Sequence, residues 1–309
     1  MPKRISRSGL ARRFNERGQE FDDFGHSASA LLAYQRAIDL APEWSVPWYN
    51  IGLVHKYSGR WLESLEANLK AASLDPSNDA AVWNAGISAT ALGDWRSARN
   101  AWKRYGIDVA EGDGPVDYPV GLTPVRIALD GEPEVIWAQR IDPARAIIKS
   151  VPLPTSGHRY GDLLLHDGAP NGYRKLGEHE VAVFDELELL QASTYSTFEV
   201  FLEGAVADEV ETLQALCEPE NVTVECWSSS LQTLCKACSE GLPWVAGGHD
   251  HPKTEMSDGR LRLGVAAQDA NAVRRALETW LATLPGARLS EFACVLDANV
   301  SPASMGPPQ

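Results

Sequence analysis

The stretch WYNIGLVHKYSGRWLESLEANLKAASLDP, residues 48–76, decides the fold of the first third of the chain. Two segments of helix length, each with apolar residues at helical spacing, flank Gly59, and Pro76 closes the second segment. Glycine tolerates the left-handed backbone of a tight turn, and proline stops a helix. The stretch therefore predicts two helices joined by a short turn.

Five positions of this stretch recur along the chain at a spacing of 34 residues. The recurring residues are Gly18, Gly52 and Gly86; Gly25, Gly59 and Gly93; Ala30, Ser64 and Ala98; Tyr34, Asn68 and Trp102; and Pro42 and Pro76. A fixed period of this length indicates a repeat architecture in which each unit packs on the next. We predict three helix-turn-helix units at residues 11–44, 45–78 and 79–111, within a domain of residues 1–112.

With this period and these residues, the sequence resembles the tetratricopeptide repeat (TPR) family. The family's early tryptophan is present as Trp48 in the second unit, whereas Phe14 and Val82 replace it in the other two. The resemblance implies an all-α superhelix whose first helices line a groove for an extended peptide or a partner helix. By register with the family, the groove candidates are Arg12, Asn15, Gln19, Tyr49, Asn50, Leu53, Lys56, Tyr57, Trp83, Asn84 and Ile87.

Asn50 and Asn84 occupy equivalent positions, where peptide-binding members of the family hold the ligand backbone with an asparagine. The alternative is that both are solvent-facing helix residues without a ligand. The chaperone-binding subgroup also carries basic residues that clamp a C-terminal carboxylate. Gln19, Ala80 and Asn84 depart from that clamp, so the resemblance does not predict a co-chaperone.

The charge of the chain is unevenly distributed. The net charge is −14, yet residues 1–112 carry 14 basic and 13 acidic side chains, which leaves the remainder near −15. An acidic surface of this size repels nucleic acid and anionic lipid, so neither is predicted as a partner. The N-terminal residues lack the apolar core of a secretory signal, and five cysteines make an odd number. These features predict a cytoplasmic protein.

From Leu122 the pattern changes to short apolar runs of strand length. The runs cover residues 124–129, 134–141, 144–153, 161–168 and 180–190. Turn-forming pairs such as Asp167-Gly168 and Asn171-Gly172 separate them, and no helical pattern lies among them. Residues 119–192 are therefore predicted to form a small antiparallel barrel or curled sheet.

Two βαβ patterns follow in residues 193–300. They comprise strand, helix and strand at residues 198–203, 207–217 and 222–227, and again at residues 260–266, 271–284 and 289–296. Two such units in tandem predict a four-stranded ferredoxin-like sheet with both helices on one face. The fold class is thus multi-domain, an all-α superhelix followed by an α+β region. Residues 301–309 are predicted to be a disordered tail.

The segment 229–259 between the two βαβ patterns is long for a connection and contains Cys235-x-x-Cys238 followed by His249-x-His251. Two thiolates and two imidazoles complete a tetrahedral Zn²⁺ site, so the sequence predicts a structural zinc that organises this loop. Three alternatives stay open: a redox-active cysteine pair, a His-x-His metal hydrolase site, and a polar loop without metal.

Sequence motifs for catalysis are absent: the chain has no GxSxG, GxxxxGK[ST], HExxH or GxGxxG. The histidines His158, His166 and His179 lie near carboxylates, but such neighbours are more often surface residues than acid–base pairs. We therefore predict a non-catalytic scaffold or adaptor that binds a protein or peptide in the groove. The alternatives are an inhibitor or immunity-type protein that uses its acidic C-terminal region, and a small metal-dependent enzyme.

Overall fold

A computed structural model describes residues 6–129, 133–176, 179–228 and 260–299. The chain forms two compact units. The first comprises Met1–Tyr118 with Asp142–Ala144, and the second comprises Pro119–Ile141 with Arg145–Gln309. The predicted loop at residues 229–259 and the predicted tail at residues 301–309 lie outside the described residues.

The first unit contains six helices in three antiparallel pairs. They are α1 (Arg7–Asp23), α2 (Ser27–Leu40), α3 (Ser45–Tyr57), α4 (Trp61–Leu74), α5 (Asp79–Ala91) and α6 (Trp95–Tyr105). The turns within the pairs are made by Gly25, Gly59 and Gly93, whose φ angles of 73°, 66° and 68° favour glycine. The six-helix repeat region predicted from the 34-residue period is confirmed.

Close approach of the two helices in each pair explains a second recurring glycine. A Cβ on Gly18 would lie 2.4 Å from Cε1 of Tyr34, and one on Gly52 would lie 2.4 Å from Nδ2 of Asn68. Ser64, fully buried one turn before Asn68, also donates a hydrogen bond of 2.8 Å to the carbonyl of Gly52. The repeating pattern of glycine and large side chain is therefore one packing contact made in each repeat.

An irregular segment follows α6 and covers the end of the last helix pair. The buried Arg99 guanidinium donates hydrogen bonds to the carbonyls of Ala110 at 2.9 Å and Gly114 at 2.6 Å, and a third, of 3.2 Å, to Pro115. Val109 and Val116 of the same segment are buried. This segment takes the place of the extra helix that usually shields the last repeat of such arrays.

The second unit begins with a closed barrel of five strands in chain order. They are β1 (Gly121–Ile127), β2 (Glu134–Arg140), β3 (Arg145–Ile148), β4 (Leu163–Leu176) and β5 (His179–Gln191). Neighbouring strands are antiparallel except β1 and β5, which close the barrel in parallel. Its core holds Ile136, Ile148 and Leu164.

One part of the strand prediction is wrong. Asp167-Gly168 and Asn171-Gly172 were expected to be turns, but both pairs lie inside the single strand β4. The register between β4 and β5 shifts on either side of Pro170, so the turn-forming residues make bulges rather than chain reversals. Bulges of this kind bend a long strand around a small barrel.

The second unit continues with a four-stranded sheet and two helices. Its elements are β6 (Ser196–Glu203), α7 (Val210–Cys217), β7 (Thr223–Cys226), β8 (Leu261–Ala267), α8 (Ala270–Leu281) and β9 (Arg288–Leu296). The strand order is β7-β8-β6-β9 and all pairs are antiparallel. Both helices pack on one face, around Leu213, Leu263 and Trp280. This is the order that two βαβ units give in the ferredoxin-like arrangement.

Among the helices of the described residues, none is long and apolar enough to cross a membrane.

Candidate functional site

The predicted groove residues lie on α1, α3 and α5, the first helices of the three repeats, and differ in exposure. Arg12, Gln19 and Tyr57 are exposed; Tyr49, Leu53 and Trp83 are half-buried; Asn15, Asn50, Lys56, Asn84 and Ile87 are buried. The surface therefore has an accessible rim and a polar floor.

Asn15 and Asn50 form the first polar contact of this floor. Nδ2 of Asn50 donates a hydrogen bond of 3.0 Å to Oδ1 of Asn15, which joins α3 to α1 of the preceding repeat. Asn50 is 8% exposed and Asn84 is 5% exposed. The alternative that both asparagines are solvent-facing helix residues is therefore wrong, because the neighbouring repeat covers most of each side chain.

Lys56 and Asn84 form the second polar contact. Nζ of Lys56 donates a hydrogen bond of 3.2 Å to Oδ1 of Asn84, so α3 is joined to α5 of the following repeat. The same ammonium lies 4.4 Å from the ring centroid of Tyr57, a cation–π distance. Side-chain hydrogen bonds of the polar floor thus join the first helices of three successive repeats.

Each asparagine of the floor uses only part of its amide in these contacts. Within the described residues, no hydrogen bond is found for Nδ2 of Asn15, Oδ1 of Asn50 or Nδ2 of Asn84. None of the three is among the fully enclosed polar atoms that lack a partner. One polar atom of each amide is therefore without a hydrogen-bond partner in the described residues and is not fully enclosed.

Trp83 and Ile87 contribute mainly to packing. The ring of Trp83 makes edge contacts with Trp102 at 5.0 Å and with Tyr105 at 4.6 Å between centroids, and Ile87 is fully buried. Both residues stabilise the last repeat and leave little side chain to a ligand.

The predicted zinc ligands Cys235, Cys238, His249 and His251 lie outside the described residues. In the ranges that the structure does describe, no group of three or more His, Cys, Asp or Glu side chains is placed to hold a metal ion.

His158 and His166 are held by hydrogen bonds, and their surroundings shift the two pKa values in opposite directions. His158 lies between the carbonyl of Ser156, 2.9 Å from Nδ1, and the carboxylate of Glu186, 2.7 Å from Nε2. Burial opposes the charged ring, but these two acceptors outweigh it and raise the pKa of His158. In His166, Nδ1 lies 2.7 Å from the Asp167 carbonyl, and complete burial lowers its pKa to about 4.

Two carboxylates that the sequence did not indicate, the buried Glu134 and the half-buried Glu225, hold the connection between β3 and β4. Glu134 of β2 accepts a hydrogen bond of 3.0 Å from the backbone N–H of Leu153. Glu225 of β7 accepts one of 2.7 Å from Val151, whose carbonyl in turn accepts 2.8 Å from Nε1 of Trp227. Burial raises the pKa of Glu134 to about 7. No local sequence signal distinguishes these glutamates from surface residues.

No protein-family model and no curated protein matches the sequence. Solved TPR domains match about a third of it. The second TPR domain of the Spaghetti protein, bound to an HSP90 peptide, is 22% identical, covering 31% of this chain and 89% of that domain at a TM-score of 0.30. The Arabidopsis OM64 TPR domain is 16% identical, and the match covers 32% of this chain and 83% of that domain at a TM-score of 0.31. The TPR2B domain of yeast Sti1, in complex with pHsp70, is 21% identical, and the match covers 31% of this chain and 77% of that domain at a TM-score of 0.30.

The first unit is a TPR-like array. Its period, its three helix pairs and the glycine contact within each pair all agree with this description. The resemblance found in the sequence is confirmed for the array and does not extend to the second unit.

Proposed function

We propose that the TPR-like array binds an extended segment of a protein partner along the surface of α1, α3 and α5. The open amide atoms of Asn15, Asn50 and Asn84 carry this proposal. A peptide group offers one N–H donor and one carbonyl acceptor. Oδ1 of Asn50 can accept a hydrogen bond from the peptide N–H, and Nδ2 of Asn15 or Asn84 can donate one to the peptide carbonyl.

The rim of the same surface favours apolar side chains on the bound segment. Tyr57 is 63% exposed, and Tyr49 and Leu53 are half-buried beside it. Aromatic residues in such positions supply contact area at a small entropic cost. The proposed partner is a protein or peptide rather than a nucleic acid or a membrane, since residues 1–112 carry no large excess of basic side chains and the remainder of the chain is strongly acidic.

A peptide library displayed on phage and selected on the immobilised full chain tests this function. We expect the selected peptides to bind roughly tenfold more weakly to Tyr57→Ala, because an exposed aromatic anchor contributes about 1–2 kcal/mol. Gln19→Ala, on the exposed rim of α1, should weaken binding less. Asn50→Ala is unsuitable as the main variant, because it also removes the contact with Asn15.

The matched control is Leu69→Ala, which removes an exposed side chain from α4, outside the proposed surface. Its affinity should equal that of the wild type. Equal affinity of wild type, Tyr57→Ala and Gln19→Ala would contradict the proposed surface, and failure to select any peptide would contradict peptide binding.

We infer that the chain acts by binding rather than by catalysis. Support comes from the hydrogen bonds of its ionisable groups: His158 is held by Ser156 and Glu186, while Glu134 and Glu225 hold backbone N–H groups. Their side-chain atoms make hydrogen bonds to other residues of the protein, whereas a catalytic acid or base has to make such a hydrogen bond to a substrate.

We also propose that Cys235, Cys238, His249 and His251 bind a structural Zn²⁺. Support comes from their types and spacing in the sequence alone. A closed site of four protein ligands leaves no position for a substrate, which agrees with a binding role for the chain.

A further inference from the structure

A cavity of about 400 Å³ opens on the surface of the second unit, apart from the array. Tyr160 and Tyr195 form an aromatic part of its lining, and residues 222–224 at the edge strand β7 form another part. Gln214 and Ala215 of α7 and the turn residues Glu218 and Asn221 complete the lining. Its volume is that of a site for a small molecule or a single large side chain.

The aromatic part of the lining is held in place before any ligand binds. The hydroxyl of Ser193 donates a hydrogen bond of 2.6 Å to the Tyr160 carbonyl and accepts one of 3.3 Å from the Tyr195 backbone N–H. The two rings meet edge to face with centroids 5.0 Å apart. Behind them lie Val151 and Trp227 at the junction of barrel and sheet.

The part of the lining that α7 and β7 supply is also fixed by hydrogen bonds. Nε2 of Gln214 donates a hydrogen bond of 3.0 Å to the carbonyl of Val224, which ties α7 to the edge strand. Asn221, with a φ of 53°, reverses the chain between α7 and β7. Both parts of the lining are therefore preorganised, which lowers the entropic cost of binding.

The electrostatics of the lining select against anions. Among the described residues that line the cavity, Glu218 supplies the one charge, and no lysine or arginine is present. Glu218 follows directly on the C-terminus of α7, the negative end of the helix dipole. The faces of aromatic rings attract cations. Outside the lining, the ammonium of Lys149 already lies 5.7 Å from the Tyr160 ring centroid.

We propose that this cavity binds an organic cation, a guanidinium or ammonium group on a short alkyl chain. The cation packs against Tyr160 and Tyr195 and pairs with the carboxylate of Glu218. Two kinds of ligand carry such a group: a free small amine and a basic side chain of a partner protein. The site belongs to the second unit and does not depend on peptide binding by the array.

Calorimetric titration of the full chain tests the proposal with two probes and a neutral control. Agmatine represents the free amine, and an acetylated, amidated Gly-Arg-Gly peptide represents the side chain. The same peptide with citrulline in place of arginine has nearly the same shape without the charge. We expect saturable binding of agmatine, the arginine peptide or both, none of the citrulline peptide, and weaker binding as salt is raised.

Substitutions then locate the site. Glu218→Gln should weaken binding roughly threefold to fivefold, as expected for an exposed ion pair. Ala215→Phe, which fills the cavity from α7, should abolish it. The matched control is Glu220→Gln, since Glu220 pairs with Arg275 at 2.9 Å and is outside the lining.

Agmatine binding without peptide binding assigns the site to free amines, and the reverse assigns it to a protein partner. The absence of saturable binding of either cation at millimolar concentration overturns the proposal. So does binding that the citrulline peptide equals, or binding that Ala215→Phe leaves unchanged in a protein whose circular dichroism shows it to be folded.

Discussion

The ring of Trp102 fills the space that a side chain on Gly86 would need: its Cη2 lies 2.5 Å from the position that a Cβ on Gly86 would take. Gly86 is in α5 and Trp102 in α6, so the contact sets the distance between the two helices of the last repeat. Trp102 is fully buried and cannot move aside without losing its packing on Trp83.

Gly86→Ala should therefore destabilise the array although alanine favours helix. The overpacking costs about 1–3 kcal/mol, against roughly 1 kcal/mol gained in helix propensity. Urea unfolding of the full chain, followed by circular dichroism at a helical wavelength, measures the difference. Gly114→Ala is the control, because a Cβ there has no neighbour within 4 Å. Equal midpoints for the two variants would contradict the packing contact.

Arg99 should hold the segment after α6 in its irregular path. Its guanidinium donates to three backbone carbonyls of this segment and to the carbonyl of Trp95 within α6, and a lysine ammonium cannot reach them all in one plane. We expect Arg99→Lys to cost about 1–3 kcal/mol and to open residues 106–118 to limited proteolysis. Arg96→Lys, an exposed change one turn earlier on α6, should leave the cleavage pattern unchanged. Unaltered protection in Arg99→Lys would contradict this role.

The array was predictable from the sequence because each of its repeats makes the same local contacts. A spacing of 34 residues relates Gly18, Gly52 and Gly86, and each of these glycines meets a large side chain sixteen residues later. The four-stranded sheet was predictable for a similar reason, since two βαβ units in tandem leave few arrangements.

Other features depend on contacts that the sequence does not encode locally. The pairing of Asn50 with Asn15 requires the register of one repeat on the next. Tyr160 and Tyr195 meet in the cavity from two separate connections between strands. The bulges of β4 at Gly168 look like turns until the barrel supplies the partner strand.

The net stability of the second unit should fall as pH rises above about 6.5. Below that value the His166 ring, whose pKa burial lowers from 6.5 to about 4, makes a contribution that rises with pH and offsets the fall due to Glu134. The pKa of Glu134 is raised from 4.5 to about 7, chiefly by burial, so between these values the folded state binds more protons than the unfolded state. The contribution of Glu134 to stability therefore decreases with rising pH, by a few kcal/mol at most over this window. The raised pKa of His158 also makes stability fall with rising pH. Its stabilising contribution is complete below pH 6.5 and is lost as the ring deprotonates in the folded state.

Glu134→Gln should flatten this dependence, since an amide oxygen can still accept the hydrogen bond from Leu153 but does not titrate. Thermal unfolding at a series of pH values, with the near-ultraviolet signal of the tryptophans as the probe, measures the slope. Glu203→Gln, an exposed carboxylate of β6 paired with Arg288, serves as the control and should keep the wild-type slope. An equal slope in Glu134→Gln would show that another group titrates.

Measurements of metal content and of disulfide formation distinguish three roles of Cys235 and Cys238: zinc ligands, a redox pair, or residues of a polar loop without metal. A structural site needs both thiolates and both imidazoles, and binding releases protons, so metal content should decrease at acidic pH. A redox pair needs only Cys235 and Cys238 and would give a reversible disulfide without metal. A polar loop without metal would give neither bound zinc nor a reversible disulfide.

Elemental analysis of protein purified without chelator should find about one zinc per chain, as a closed site of four ligands requires. Cys235→Ser should remove it and expose residues 229–259 to proteolysis, while the helical signal of the array stays constant because that core is separate. Cys294→Ser is the matched control: Cys294 is exposed on β9, and its loss should leave the zinc in place. Stoichiometric zinc in a protein with both Cys235→Ser and Cys238→Ser would contradict these ligands, and a wild type free of zinc would contradict the site itself.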